Sequence, residues 1–162
     1  MPQPTAAPDI NLRIVMRPAM RLAGARIRTE MPYAKKDIKK LWMETIPQVK
    51  EFLNGETDAV FGISWIVDPD TAAFDYYAAI KLFSDCVLPE GFSEIDVPAG
   101  LYAECELPSR DMLHRLYSYF YYEWLPQNKE ALSLGDTPSY EVYSKEFLKD
   151  GSLKVYMPVI AV

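Results

Sequence analysis

The sequence predicts an α+β fold in which two βαββ halves with antiparallel sheets share one chain of 162 residues. Its elements run strand, helix, strand, strand, and the same order then repeats. Turn signals between neighbouring strand-like runs favour antiparallel hairpins. Ala23 and Pro32 also recur as Ala99 and Pro108, both 76 residues later, which is a faint sign of duplication. We expect the halves to join through their sheets and to leave a cleft between them, where ligands commonly bind.

The first half begins after residues 1–12, a proline-containing segment that predicts a disordered tail. Residues 14–28 predict strand, with a bulge or an edge position at Pro18. Residues 36–53 predict a helix, because apolar side chains recur there every three or four positions. We expect this helix to kink or break near Pro47, since proline lacks the N–H that a helix interior uses.

The rest of the chain predicts further strands and a second helix. The predicted strands cover residues 59–66, 74–82, 92–97, 99–107, 139–143 and 153–160. Turn signals that separate strands are Asp68-Pro69-Asp70, Pro89-Glu90-Gly91 and Lys149-Asp150-Gly151. The second helix spans residues 110–124, with Ser109 as its cap and Pro126 as its end. The predicted domain and its two repeats cover residues 13–162, about 13–90 and about 91–162.

Composition and charge favour a globular protein that does not bind nucleic acid directly. Seventeen basic residues stand against 23 acidic ones, a net charge of −6, whereas non-specific nucleic-acid binding needs a basic surface. The lysines at positions 35, 36, 39 and 40 are interpreted as the solvated face of the first helix. The N-terminus lacks a signal-peptide pattern, and no apolar run reaches the roughly 20 residues of a membrane helix. We therefore expect a cytoplasmic protein that does not associate with membranes.

Few residues offer metal-binding or catalytic chemistry. Cys86 and Cys105 have no metal-site spacing, and whether they pair stays open. His114 is the only histidine, which excludes a His-based metal cluster, and its position on a helix favours a structural or solvent-facing role. We expect no metal and no cofactor. The remaining candidates for a functional site are carboxylates and aromatic side chains, and the aromatic residues include 11 tyrosines and three tryptophans.

The segment 139–143 carries the most suggestive carboxylate. In a strand, Glu141 and Tyr143 share one face because successive side chains alternate. Spacing alone favours a Glu141 that is exposed, paired, capped or protonated. The functional alternative is an unpaired carboxylate that receives a cation beside aromatic rings. Glu123 is a second acidic candidate, for which a surface or capping role is favoured.

A series of short motifs extends from residue 15 to residue 159. They are Ala23-Gly24, Leu41-Trp42, Phe61-Gly62-Ile63, Phe74-Asp75-Tyr76-Tyr77-Ala78-Ala79, Leu88-Pro89-Glu90-Gly91-Phe92, Val97-Pro98-Ala99-Gly100-Leu101-Tyr102-Ala103, Tyr122-Glu123-Trp124-Leu125-Pro126, Tyr140-Glu141-Val142-Tyr143 and Met157-Pro158-Val159. In their order and spacing, the chain resembles a stand-alone member of the GyrI-like, or AraC-type effector-binding, family. The resemblance implies a pseudo-twofold pair of βαββ units with a ligand cleft between them. Family members that are fused to helix-turn-helix domains act as drug-sensing transcription regulators.

The resemblance also implies a site for a lipophilic cation. In the drug-binding relatives, a buried glutamate on a late strand receives the cation among aromatic side chains, and Glu141 matches that position. The residues that we expect to bind the ligand are Glu141, Tyr143, Tyr76, Tyr102, Trp65 and Trp42. The leading hypothesis is a protein that binds small amphipathic, cationic or aromatic molecules, for the sensing or sequestration of drugs or toxins.

Two alternatives follow from other relatives. Some stand-alone relatives are similar to hydrolases that open strained, cyclopropane-containing toxins, and Glu141 would then act as a general acid or base. Others resemble a protein inhibitor of DNA gyrase, which implies a protein partner. Because binding and hydrolysis would use the same residues, the sequence leaves a binding protein and an enzyme both open.

Overall fold

A computed structural model describes residues 10–53, 59–68, 73–81, 88 and 90–162. The first half contains, in order, β1 (Arg13–Arg17), β2 (Met20–Glu30), α1 (Met31–Leu53), β3 (Ala59–Asp68) and β4 (Ala73–Lys81). The second half contains β5 (Phe92–Val97), β6 (Gly100–Leu107), α2 (Leu113–Tyr119), α3 (Leu125–Gln127), β7 (Leu132–Leu134), β8 (Ser139–Ser144), α4 (Lys145–Asp150) and β9 (Leu153–Ala161). A 3₁₀ turn at Arg110–Met112 precedes α2, and a π-helical segment at Phe120–Trp124 joins α2 to α3. The predicted α+β class is confirmed.

The strands form an antiparallel sheet in the order β1-β6-β9-β8-β3-β4-β2-β5, with β7 paired to β9. The order is symmetric about the central β3–β8 pair. Exchanging β1 with β5, β2 with β6, β3 with β8 and β4 with β9 simply reverses it, as expected for two βαββ repeats. The first strand of each half pairs in the other half, because β1 lies beside β6 and β5 lies beside β2. The halves therefore share one sheet.

The two faces of the sheet carry different cores. The helices cover one face, where Leu116 and Phe120 pack on the side chains of β6 and β9, and Leu41 packs on Tyr76 of β4. The other face carries its own cluster, whose buried members are Leu22, Phe61, Ile63, Ala79, Ile95, Val97, Tyr102, Tyr140 and Tyr156. Side chains alternate along each strand, so the position of a residue within its strand decides which cluster it joins.

The first helix begins earlier than predicted and continues through Pro47 without a break. It begins at Met31, five positions before the predicted start, and it is not broken at Pro47. A proline removes a single helical hydrogen bond at its own position, and α1 packs on β2 and β4, which stabilises the preceding turns. The four lysines at positions 35, 36, 39 and 40 are exposed, as predicted.

The second half contains two elements that the sequence analysis missed. Strand β7 and helix α4 are new, and α4 occupies most of the segment between β8 and β9 that was predicted as a turn. Gly151 ends this helix with a left-handed backbone, at φ 83°, a conformation that glycine adopts without steric cost. The helical run before β7 ends at Gln127 rather than at Pro126, because a proline in the first turn of a helical segment needs no backbone N–H.

Several predictions at loops and termini fall outside the described residues. Residues 1–9 of the predicted tail are outside, whereas Ile10 is buried against the helix-side core. Pro69 and Asp70 of the predicted turn also lie outside the described residues. Cys86 lies outside them as well, so the question of a Cys86–Cys105 pair stays open. Cys105 is buried in β6. In the part of the chain that the structure describes, no helix has both the length and the hydropathy to cross a membrane.

Candidate functional site

Glu141 of β8 is buried among tyrosines on the helix-covered face of the sheet. It is 5% exposed. Tyr143 donates a hydrogen bond of 2.5 Å to its Oε1 atom, and Tyr117 donates one of 2.9 Å to its Oε2 atom. Within the described ranges, no lysine or arginine forms an ion pair with Glu141. The carboxyl group is therefore held by neutral donors.

Strand geometry and helix docking bring these groups together. Glu141 and Tyr143 lie two positions apart in β8 and so point to the same face. Tyr117 belongs to α2, whose Leu116 is buried against that face. In the register of the central strand pair, Glu141 lies opposite Gly62 of β3. The site thus sits at the middle of the sheet, where the two halves meet.

Tyr76 reaches this site by crossing over Gly62. Tyr76 lies on β4 and is 1% exposed, and its hydroxyl accepts a hydrogen bond of 2.9 Å from Nε1 of Trp42. A Cβ atom at position 62 would collide with the Tyr76 hydroxyl and would lie 3.1 Å from Glu141 Oε1. Only glycine leaves the phenol of Tyr76 this path over the strand.

Two aromatic rings pack against Tyr143, the hydrogen-bond donor to Glu141. The Trp42 and Tyr143 rings meet edge to face, with 6.0 Å between their centres. The Phe147 ring, from α4, meets Tyr143 in the same manner at 4.9 Å. Trp42 also packs against the cores of both halves. The ring faces and edges here provide the kind of surface on which flat or aryl-substituted ligands pack.

Burial dominates the electrostatics of the cluster. It raises the pKa of the Glu141 carboxyl above its ordinary value near 4.5, although the hydrogen bonds from Tyr143 and Tyr117 and the charge of Arg110 oppose the shift. Burial, and then the negative charge of Glu141, raise the pKa of Tyr117 and of Tyr143. The phenols therefore remain protonated donors, while the carboxyl is a group whose ionised form lacks full compensation.

Arg110 stands at the outer side of this cluster. The residue is exposed, and its Nε donates a hydrogen bond of 3.2 Å to the Tyr143 hydroxyl. Its guanidinium carbon is 5.6 Å from the centre of the Tyr143 ring. Burial opposes its charge, but Tyr143 and Glu141 outweigh that effect and raise the pKa of Arg110. The hydroxyl of Tyr143 thus lies between the buried carboxyl of Glu141 and the guanidinium of Arg110.

The structure brings four of the six predicted ligand-binding residues together: Glu141, Tyr143, Tyr76 and Trp42. Trp65 and Tyr102 lie elsewhere, in the cluster on the opposite sheet face. Trp65 is three positions from Gly62, so alternation directs it away from the helices. Tyr102 neighbours Ala103, which belongs to the helix-side core, and its hydroxyl lies 3.1 Å from Oγ1 of Thr137. These two residues do not join the site around Glu141.

Three residues of the site were not predicted as such. Tyr117 and Arg110 fell only within the range of the predicted second helix, residues 110–124, and Gly62 only within a motif. Tyr117 and Arg110 come from a segment that is distant in sequence from Glu141. No local sequence pattern predicts how that segment packs on the sheet. Gly62 carried a signal, because an isolated glycine inside a strand indicates a close approach by another group.

The remaining chemical candidates show no second site. His114 is exposed on α2, and Glu123 is partly exposed on the π-helical segment. No group of three or more histidine, cysteine, aspartate or glutamate residues suited to a metal ion occurs in residues 10–53, 59–68, 73–81, 88 and 90–162.

Several solved structures share this fold. An integron cassette protein from the mobile metagenome of Vibrio cholerae is 16% identical, with a TM-score of 0.71 over 92% of this chain and 95% of that one. SAV2435, solved bound to tetraphenylphosphonium, is 15% identical, with a TM-score of 0.68 over 93% and 94%. The C-terminal domain of EcmrR is 13% identical, with a TM-score of 0.62 over 94% and 99%. No curated protein sequence matches this chain.

A family model supplies the evidence at the level of sequence. The model describes integron-associated effector-binding proteins and matches residues 13–159, which include every strand and helix of the described fold except the last two residues of β9. The predicted resemblance to the effector-binding family is confirmed. The chain belongs to the family of integron-associated effector-binding proteins.

Proposed function

We propose that the Glu141 site binds a lipophilic organic cation, with Glu141 as the countercharge. One observation carries the proposal: a buried carboxyl group is hydrogen-bonded by two phenols and forms no direct ion pair with a lysine or arginine in the described parts of the chain. A structural carboxylate at such depth is ordinarily paired with a cation. In the proposed complex, the ligand supplies that cation.

The phenols favour binding over a permanent internal ion pair. Tyr143 and Tyr117 each offer an O–H to the carboxylate, so they orient both oxygens without neutralising the charge. A ligand cation would supply the missing attraction in a region where water screens poorly. The rings of Trp42 and Tyr143 would add cation–π and dispersion contacts. Charge and aromatic surface together fit an aryl-substituted or lipophilic cation better than a small hydrated ion.

The relatives support the same class of ligand. SAV2435, which shares the fold over 93% of this chain, was solved with tetraphenylphosphonium, a lipophilic cation without hydrogen-bond donors. Such a ligand can be recognised only through its charge and its aryl surface, which are the two properties that this site provides. The protein would accordingly act in the sensing or sequestration of such compounds.

Titration with tetraphenylphosphonium tests the proposal. Binding is followed by tryptophan fluorescence, because Trp42 lies in the site, and by calorimetry. We expect Glu141→Gln to weaken tetraphenylphosphonium binding by about 2 kcal/mol or more, roughly 30-fold, since it removes the countercharge and keeps the side-chain shape. The neutral compound triphenylphosphine oxide should lose little affinity.

A matched control separates the site from the net charge of the protein. Glu106→Gln removes an exposed carboxylate from β6 of the same sheet and should leave tetraphenylphosphonium affinity within about twofold of the wild type. Equal losses in Glu141→Gln and Glu106→Gln, or equal losses for the cation and the neutral compound in Glu141→Gln, would contradict the proposed role of Glu141.

Hydrolysis remains the second candidate, because the raised pKa of Glu141 is also what a general acid or base requires. Turnover distinguishes the two. A hydrolase would convert a strained electrophilic substrate catalytically and lose that turnover in Glu141→Gln, whereas a binding protein would release its ligand unchanged.

A further inference from the structure

Arg110 is built into the rim of the site rather than left as a mobile surface charge. Ser109 caps the 3₁₀ turn, with its hydroxyl accepting a hydrogen bond of 3.1 Å from the backbone N–H of Asp111. This cap fixes the backbone on both sides of Arg110. The Nε atom then donates to the Tyr143 hydroxyl. Backbone and side chain are therefore both held in place.

The hydroxyl of Tyr143 lies between the two opposite charges of the site. Its hydroxyl donates to Oε1 of the buried Glu141 and accepts from Nε of the exposed Arg110. A ligand cation that approaches Glu141 therefore comes within electrostatic reach of a fixed guanidinium. The ligand gains attraction from the carboxylate at the base of the site and meets repulsion from the arginine at its rim.

We propose that Arg110 is the specificity-determining residue of this site, and that it selects cations whose aromatic body carries an anionic group at the solvent-facing end. The inference rests on the proposed function, because it assumes that the cationic part of the ligand lies against Glu141. A zwitterion in this orientation matches both charges, whereas a simple monocation matches only the inner one.

An electrostatic role and a purely structural role of Arg110 predict different effects of its replacement on ligand binding. If the guanidinium acts through its charge, its removal improves binding of a simple cation and weakens binding of a zwitterion. If Arg110 only orients Tyr143, its removal weakens all ligands alike, whatever their charge. The direction of the change across a matched ligand set therefore separates a specificity role from a structural one.

Three aryl phosphorus compounds of similar shape form the test set. Tetraphenylphosphonium is a monocation, (4-carboxyphenyl)triphenylphosphonium is a zwitterion at pH 8, and triphenylphosphine oxide is neutral. Dissociation constants are measured by calorimetry for the wild type, Arg110→Gln, Arg110→Lys and Glu141→Gln. Arg115→Gln, which removes an exposed arginine from the neighbouring α2, is the control for a general loss of positive charge.

We expect Arg110→Gln to bind tetraphenylphosphonium about three- to tenfold more tightly and the zwitterion weaker by a similar factor. The neutral compound should change by less than about twofold, and Arg115→Gln should resemble the wild type. Arg110→Lys keeps the charge and should retain the preference of the wild type. Because Arg110 is exposed, salt screens its charge. The differences between ligands should therefore shrink in 0.5 M salt, which is about three times the ionic strength at which the Debye length is about 8 Å and therefore shortens that length.

Two kinds of failure are distinguishable. If tetraphenylphosphonium binds and depends on Glu141, but Arg110→Gln shifts all three compounds in one direction or none of them, the specificity role of Arg110 is overturned while the proposed function stands. If the wild type binds neither charged compound, or binds them independently of Glu141, the proposed function fails and the inference fails with it.

Discussion

At the scale of single residues, the burial of the Glu141 carboxyl lowers the stability of the folded protein. Removing a carboxylate from water is costly unless charge and hydrogen bonds compensate. Tyr143 and Tyr117 supply hydrogen bonds but no countercharge, and the pKa of Glu141 is accordingly raised by its burial. A core that served stability alone would do better with an apolar side chain of the same volume. Costs of this kind are typical of binding sites.

Gly62 is the residue that allows the tyrosines to converge, and its replacement gives a stability prediction. A Cβ atom at this position collides with the Tyr76 hydroxyl, so Gly62→Ala must displace a buried phenol. We expect a loss of about 1–3 kcal/mol in the free energy of unfolding, measured by urea denaturation. Tetraphenylphosphonium binding should weaken as well, because Tyr76 moves away from its Trp42 partner.

A control and a rescue make this prediction specific. Gly100→Ala adds a Cβ that meets no atom within 4 Å and should change the stability by less than about 0.5 kcal/mol. In a Tyr76→Phe background, which lacks the colliding oxygen, Gly62→Ala should cost less than it does in the wild type. An equal cost in both backgrounds would show that the collision with Tyr76 is not the cause.

The sequence predicted only part of the site, and the reasons lie in particular residues. Alternation within one strand was enough to place Glu141 and Tyr143 on one face. Placing Trp65 and Tyr102 required knowing which face of β3 and β6 meets the helices, and this depends on strand register, which local patterns do not encode. Tyr117 and Arg110 required the docking of a distant helical segment.

At the scale of elements, strands that follow or flank a clear turn signal were predicted best. The strand predicted at residues 92–97 is β5 at the same bounds, and the hairpin of β3 and β4 pairs as expected. Strand β7 has three residues and helix α4 has six. Three residues are too few for a period of two to be recognised, and six are too few for a period of 3.6. Both depend on tertiary partners, namely β9 and β8.

The second helix is irregular in a way that the sequence did not predict. One continuous helix was predicted over residues 110–124, but the run consists of a 3₁₀ turn, α2, a π-helical segment and α3. A π-helical segment inserts an extra residue into the turn and changes which side chains face the sheet beyond it. Phe120, at the start of the segment, is fully buried, whereas Tyr122 within it is 79% exposed. Such segments are frequent beside functional sites.

At the scale of the whole molecule, the exchange of first strands makes each half depend on the other. Strand β1 lies beside β6 and β5 lies beside β2, while the β3–β8 pair joins the halves at the centre. We expect that fragments split between β4 and β5, residues 1–85 and 86–162, do not fold separately, because three strands of each fragment lose a neighbour that lies in the other fragment. Circular dichroism during heating checks this.

The mixed fragments serve as the control for this prediction. Equimolar mixing should restore the sheet and helix signals of the intact chain, because every strand then regains its partners. A cooperative thermal transition in either fragment alone would contradict the view that the two halves form one domain.

The measurement that tests the central claim most directly is the pH dependence of tetraphenylphosphonium binding, by calorimetry in buffers of different ionisation enthalpy. In the free protein the pKa of Glu141 is raised, so the carboxyl carries a proton over a wider pH range than usual. A bound cation favours the ionised form, so binding must release that proton. We predict that affinity rises with pH, accompanied by proton release, until the pH exceeds the raised pKa of Glu141, and is constant above it. The raised pKa values of Tyr117 and Tyr143 keep both phenols protonated throughout this range. Affinity that does not change with pH, or the same proton release in Glu141→Gln, would contradict the claim that Glu141 is the countercharge.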